Sequence, residues 1–186
     1  MSLPPIRRSI TVSWDVAAAF QRFTQDFGKW WPAATHSVGG ECVARIVFEC
    51  RVGGLIFEEH VDGRRFGWGR VLEFEPPRRV KFTWHPSRDA ATAQDVELTF
   101  TPDALGTRVE LVSDKWERWG KNAQRARKGY DLGWRYILNT CAGRRTAAMV
   151  LLDGVACVLR AVEWLRGGTS ASIARAEGEL PRGAQR

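Results

Sequence analysis

The chain is short of the residues that most often do chemistry. Its 186 residues hold three histidines, His36, His60 and His85. They share no ligand spacing with the four cysteines, so no metal site and no cofactor is expected. No glycine-rich phosphate loop, nucleophile elbow or His-Glu zinc helix occurs. The opening MSLPPIRRSITV lacks an apolar core of signal-peptide length. Cys42 and Cys50 fall in one expected strand, roughly 26 Å apart at strand rise and beyond disulfide reach. Cys141 and Cys157 fall in helical stretches and read as small buried hydrophobes. A cytoplasmic location is the expectation. No apolar run reaches the ~20 residues a membrane span needs.

What the chain does have is tryptophan, nine of them. Each ring buries roughly 150–250 Å², which points to a large interior or a large aromatic-lined hollow. The apolar fraction of 44% and charged fraction of 26% are those of a globular domain. The net charge of +7 is uneven: residues 115–186 carry 14 basic and 6 acidic side chains (+8), and residues 1–114 carry 14 and 15 (−1). A basic third of this kind is most simply a solvated face. Nucleic acid is not the favoured partner, because interleaved exposed aromatics are missing from the basic patch.

Along the chain, IRRSITVS (6–13) reads as a strand. Asp15 is placed to cap a helix running to about Phe27, with Val16, Ala19, Phe20, Phe23 and Phe27 on one side. Trp30 and Trp31 follow, and Pro32 ends the element. Then come strands with no helix between them. CVARIVFEC (42–50) puts Cys42, Ala44, Ile46, Phe48 and Cys50 on one face. LIFEEHV (55–61) is expected to pair with RRFGWGRVLEFE (64–75) across Asp62-Gly63, matching Val61 with Arg64, Glu59 with Phe66, Phe57 with Trp68 and Leu55 with Arg70. RRVKFTWHP (78–86), QDVELTFTP (94–102) and TRVELVSD (107–114) complete the series. Residues 123–142 switch to helical period, with Ala126, Tyr130, Trp134, Ile137 and Cys141 in one stripe. The order implies an α+β fold, one curved antiparallel sheet wrapped around a long amphipathic helix.

Some polar residues share parity with apolar ones. Glu59 goes with Leu55, Phe57 and Val61; Arg70 goes with Phe66, Trp68, Leu72 and Phe74; Ser113 goes with Val109 and Leu111. An unpaired charge in a closed core is costly, so each must pair, reach water or meet a ligand. For Glu59 the choice lies between water near the turn and an interior role. For Arg70 it lies between a rim salt bridge and a grip on a carboxylate or phosphate of an otherwise apolar ligand. Lys121, Arg125, Arg127 and Lys128 crowd the start of the long helix, where positive charge opposes the macrodipole.

In order, TVSWDVAAAFQRFT, KWWP, VGG at 52–54, DG, WGRVLEFEPPRRVKFTW, GTRVELV and the GW of 133–134 resemble the START-like, or SRPBCC, superfamily, in the branch named for homology to the Hsp-ninety ATPase activator. The resemblance covers about residues 6–142. It implies a helix-grip fold: a seven-stranded antiparallel sheet cupping the last helix, with an apolar cavity between them. The cavity residues it suggests here are Trp31, Phe48, Phe57, Glu59, Trp68, Arg70, Phe82, Trp84, Leu98, Leu111, Trp134 and Ile137. It also implies that Trp31 reaches over the pocket while Trp30 packs behind the sheet.

The expected organisation is a helix-grip domain over 1–143, an apolar helix over 144–168 and a loose tail over 169–186. The wide apolar stripe of Met149, Leu152, Val155, Leu159 and Val162 suggests a homodimer contact, with docking on its own domain or on a membrane surface as the other possibilities. Three functions remain open: a binding protein enclosing a small apolar or amphipathic ligand, a cyclase- or hydratase-like enzyme using the same cavity, and a protein-interaction module of the chaperone-activator type.

Overall fold

In a computed structural model of the chain, the described residues are 2–86 and 88–144. The expected helix over 144–168, its dimer contact and the tail over 169–186 lie outside them, apart from Arg144, as does Cys157. Seven strands form one antiparallel sheet in the order β1-β7-β6-β5-β4-β3-β2. They are β1 (Ile6–Val12), β2 (Val43–Phe48), β3 (Leu55–His60), β4 (Arg65–Glu75), β5 (Arg79–Trp84), β6 (Gln94–Asp103) and β7 (Gly106–Asp114). Strands β2 to β7 run as a meander, and β1 closes onto β7 with Ile10 opposite Val109. The long helix α4 (Ala123–Cys141) buries Trp134, Ile137, Leu138 and Cys141 in the same core as the inward residues of the sheet. Among the described residues, no helix is long and apolar enough to cross a membrane.

The first helix is shorter than its apolar spacing suggests. Asp15 caps α1 (Val16–Phe23) by accepting the Ala18 N–H at 2.8 Å, as the sequence indicates. The helix then stops, because Thr24 leaves helical geometry and its hydroxyl donates back to the Phe20 carbonyl. A separate turn, α2 (Phe27–Trp30), carries the apolar line onward and packs on β2, and α3 (Ala33–His36) follows it. Gly28 permits that approach, since a Cβ there would lie 2.2 Å from the Ile46 carbonyl oxygen.

Three strands, β2, β3 and β4, differ from the expected alternation, and each difference has a local cause. The Asp62-Gly63 turn is longer than a two-residue hairpin: His60 N–H donates to the Arg64 carbonyl, and Gly63 sits at φ +79°. This arrangement pairs Glu59 with Arg65 instead of Phe66. A bulge then leaves Trp68 without an opposite residue, so Phe57 faces Gly67, and the expected pairing of Leu55 with Arg70 is restored beyond it. The inward set on β3 is therefore Ile56, Glu58 and His60. Leu55, Phe57 and Glu59 point to the outer face. A second bulge in β2, between Val43 and Arg45, leaves Ala44 exposed and returns Ile46 and Phe48 to the core. Ser113 is inward and fully buried, as expected.

Candidate functional site

The interior is a continuous set of rings. Trp31 stands over Trp68 and Trp84, with centroids 5.2 and 5.4 Å away. Trp84 also meets Trp134 of α4 at 5.4 Å. Phe48 and Phe82 pack at 5.5 Å, and Leu98, Leu111 and Ile137 belong to the same buried cluster. Trp31 thus covers the inner face. Trp30 is not behind the sheet: it leans on Phe23 of α1 and Phe27, and its indole N–H donates to the Arg22 carbonyl at 2.6 Å. A helical turn that ends on Trp30, with Trp31 already extended, lets both rings share Phe27 while Trp30 turns to Phe23 and Trp31 to Trp68 and Trp84.

Three of the suggested cavity residues lie elsewhere. Glu59 is on the outer face, paired with Arg45 and Arg65. These two guanidiniums hold its carboxyl below the usual carboxylate range, Arg45 contributing most. Phe57 is buried on that outer side beneath the Arg65 guanidinium, 5.2 Å from its ring centroid. Arg70 is exposed and donates to the Gly53 carbonyl at 2.7 Å. The β4 bulge at Trp68 is what turns Arg70 outward.

Sequence parity also hid a buried polar pair. Glu58 is fully buried and accepts from the Val38 and Gly39 backbone N–H groups at 2.9 and 2.8 Å. His60 Nε2 lies 2.5 Å from the same carboxylate, and its ring rests on Phe66. With both carboxylate oxygens engaged, the pair fastens the loop before β2 to β3. Among the described residues, no group of three or more His, Cys, Asp or Glu could hold a metal ion.

Around Trp84 the polar accounting is incomplete. The buried indole N–H groups of Trp68 and Trp134 have no hydrogen-bond partner among the described residues. Both rings touch Trp84 at 5.4 Å. Gln94, opposite Trp84 in the sheet, is fully buried and its side-chain carbonyl is also unpartnered. By contrast, the Trp31 and Trp116 indoles donate to the carbonyls of His36 and Ser113. Each unpaired buried group costs about 1–3 kcal/mol.

A hollow of about 590 Å³ opens beside this cluster, over the first turns of α4. Tyr130 lies in its wall and joins it to the interior, meeting Trp119 at 5.8 Å and Trp134 at 6.4 Å. Burial pushes the Tyr130 phenol up to about 12, against a smaller opposing pull from Arg88. Because the folded value lies above the ordinary 10, this stabilisation is complete below pH 10 and drains away as pH rises towards 12. Ultraviolet titration should show one phenol ionising near pH 12 that vanishes in Tyr130→Phe; a difference curve centred near pH 10 would contradict the burial. A second hollow of about 960 Å³ lies between β1 and the end of α4, away from the ring cluster.

No curated protein matches the chain significantly. Among solved structures, protein MLL2253 from Mesorhizobium loti is 19% identical, over 75% of this chain and 94% of its own, with a TM-score of 0.54. A Nitrosomonas europaea protein, NE0264, is 15% identical over 75% and 92%, with a TM-score of 0.55. Both share the fold. An anthrahydroquino-γ-pyrone synthase, Txn09, is 35% identical over 70% of this chain and 88% of its own, with a TM-score of 0.49. Residues 16–141 match the family described as Activator of Hsp90 ATPase homolog 1-like protein. With the sheet, the gripped helix and that match in place, the chain belongs to the Activator of Hsp90 ATPase homolog 1-like family, within the START-like superfamily.

Proposed function

We propose that the protein binds a small, flat, largely aromatic molecule between the sheet and α4. The observation that carries this reading is the pair of buried indole donors, Trp68 and Trp134, both in contact with Trp84 and without a partner among the described residues. A surrounding wall of rings suits a planar ring system by offset and edge contacts. Two N–H donors inside that wall call for acceptor oxygens on the ligand, such as quinone or ketone carbonyls. The hollow over α4 is separated from Trp134 by the Tyr130 ring, 6.4 Å from it. A cyclase- or hydratase-like reading needs Glu59, Arg70 or a histidine for proton transfer; Glu59 is committed to two arginines on the outer face and Arg70 is exposed, which leaves the histidines.

Calorimetric titration of the full chain with a planar hydroxyanthraquinone tests this. Saturable binding is expected, weakened about five- to tenfold in Trp68→Phe, which keeps a ring and loses the donor. No saturable binding at millimolar ligand, or unchanged affinity in Trp68→Phe and Trp134→Phe, would refute the proposal.

A further inference from the structure

We infer that the ligand carries an acid group, held by Arg88 and Arg125 in the hollow over the start of α4. This rests on the binding reading above and adds the chemical class of the molecule and the end by which it is gripped.

The wall of the hollow includes Arg88, Arg125, Trp119, Asn122, Tyr130 and His36, and none of its described residues is Asp or Glu. The Arg88 guanidinium lies 3.8 Å from the Trp119 ring centroid. Stacked in this way, a guanidinium keeps its in-plane N–H groups available to a carboxylate. Among the described residues, neither Arg88 nor Arg125 is in a salt bridge, although acids are close in sequence. Asp89 turns away to cap Ala91 at 2.8 Å, Asp95 pairs with Arg118 at 2.9 Å, and Asp131 pairs with Arg8 at 2.6 Å. The buried Trp119 indole N–H, in the same wall, has no partner among the described residues.

The helix start agrees with this. The first turn of α4 contains no acidic residue, and Asn122 makes no side-chain capping bond. Arg127 is occupied with the Pro4 carbonyl at 2.7 Å, which leaves Arg125 facing the hollow beside the positive end of the helix. Positive charge there is unfavourable in the empty protein, and a bound anion reverses the sign of that interaction. The volume of about 590 Å³ is ample for a ring-bearing acid. The line from Trp119 through Tyr130 to Trp134 and Trp84 sets the direction: acid group at the arginines, rings towards Trp84.

The test compares anthraquinone-2-carboxylate with its neutral amide, anthraquinone-2-carboxamide, by calorimetry on the full chain at low salt. The carboxylate should bind about tenfold more tightly. In a double variant, Arg88→Gln with Arg125→Gln, that preference should shrink to within about twofold. A charge control, Arg51→Gln with Arg78→Gln, removes the same charge at distant turns and should keep it. Equal affinities in the unaltered protein would overturn the acid group and leave the binding reading standing. A preference that survives in the double variant, or disappears in the control, would overturn the assignment to these arginines. Failure of both compounds to bind would remove both readings together.

Discussion

Glu58→Ala is expected to cost about 3–5 kcal/mol of folding stability, the toll of breaking a buried pair from one side. For a chain of this size that lowers Tm by roughly 6–20 °C. The carboxylate is fully buried and serves three partners, Val38 N–H, Gly39 N–H and His60 Nε2. Removing it strands two backbone donors and an imidazole at once. The packing allows little repair: a Cβ at Gly39 would come within 2.2 Å of His60 Nε2, so loop and ring are already close. Glu58→Gln should fall between, because an amide keeps one acceptor and presents an NH₂ to neighbours that donate. Thermal and urea unfolding read both variants. A Glu58→Ala protein melting within about 2 °C of the unaltered chain would mean that the pair anchors nothing.

Trp31→Ala should destabilise by a similar amount, about 3–5 kcal/mol, as large-to-small changes of buried aromatics do. Trp31 meets four rings, Phe27, Trp30, Trp68 and Trp84, and ties its indole to the His36 carbonyl at 2.8 Å. Its loss opens a hole above the inner face and frees the segment leading to α3. Trp31→Phe keeps most of the ring contact and should cost less than half as much. The near-ultraviolet circular dichroism of the coupled indoles should weaken in step. If Trp31→Ala and Trp31→Phe unfold at the same denaturant concentration, ring volume is not what Trp31 contributes.

Much of this architecture was legible because period and order are robust signals. The alternation in 78–86, 94–102 and 107–114 reappears as β5, β6 and β7, with Val80, Phe82, Trp84, Val96, Leu98, Phe100, Val109 and Leu111 buried. The helical stripe through Trp134, Ile137 and Cys141 faces the same core. The three misplaced cavity residues, Phe57, Glu59 and Arg70, all lie in one hairpin. A strand face is read by parity, and one extra residue inverts everything beyond it. In LIFEEH one face carries Leu55 and Phe57 and the other Ile56 alone, so Glu58 and His60 looked like the wet side. The Gly63 turn and the Trp68 bulge decide otherwise. Arg70 fell to the same cause. The hollow by α4 had only an indirect signature: cations where the helix dipole disfavours them, which the sequence shows but does not explain.

The Trp68 and Trp134 indole donors are expected to meet a ligand. The most direct measurement is the indole N–H spectrum of ¹⁵N-tryptophan-labelled protein, its nine tryptophans assigned through Trp→Phe variants and followed during titration with a planar hydroxyanthraquinone. The Trp68 and Trp134 resonances should move downfield and saturate together, while those of Trp30 and Trp116, already bonded to the carbonyls of Arg22 and Ser113, change little. Resonances of Trp68 and Trp134 that stay fixed at saturating ligand would contradict the account.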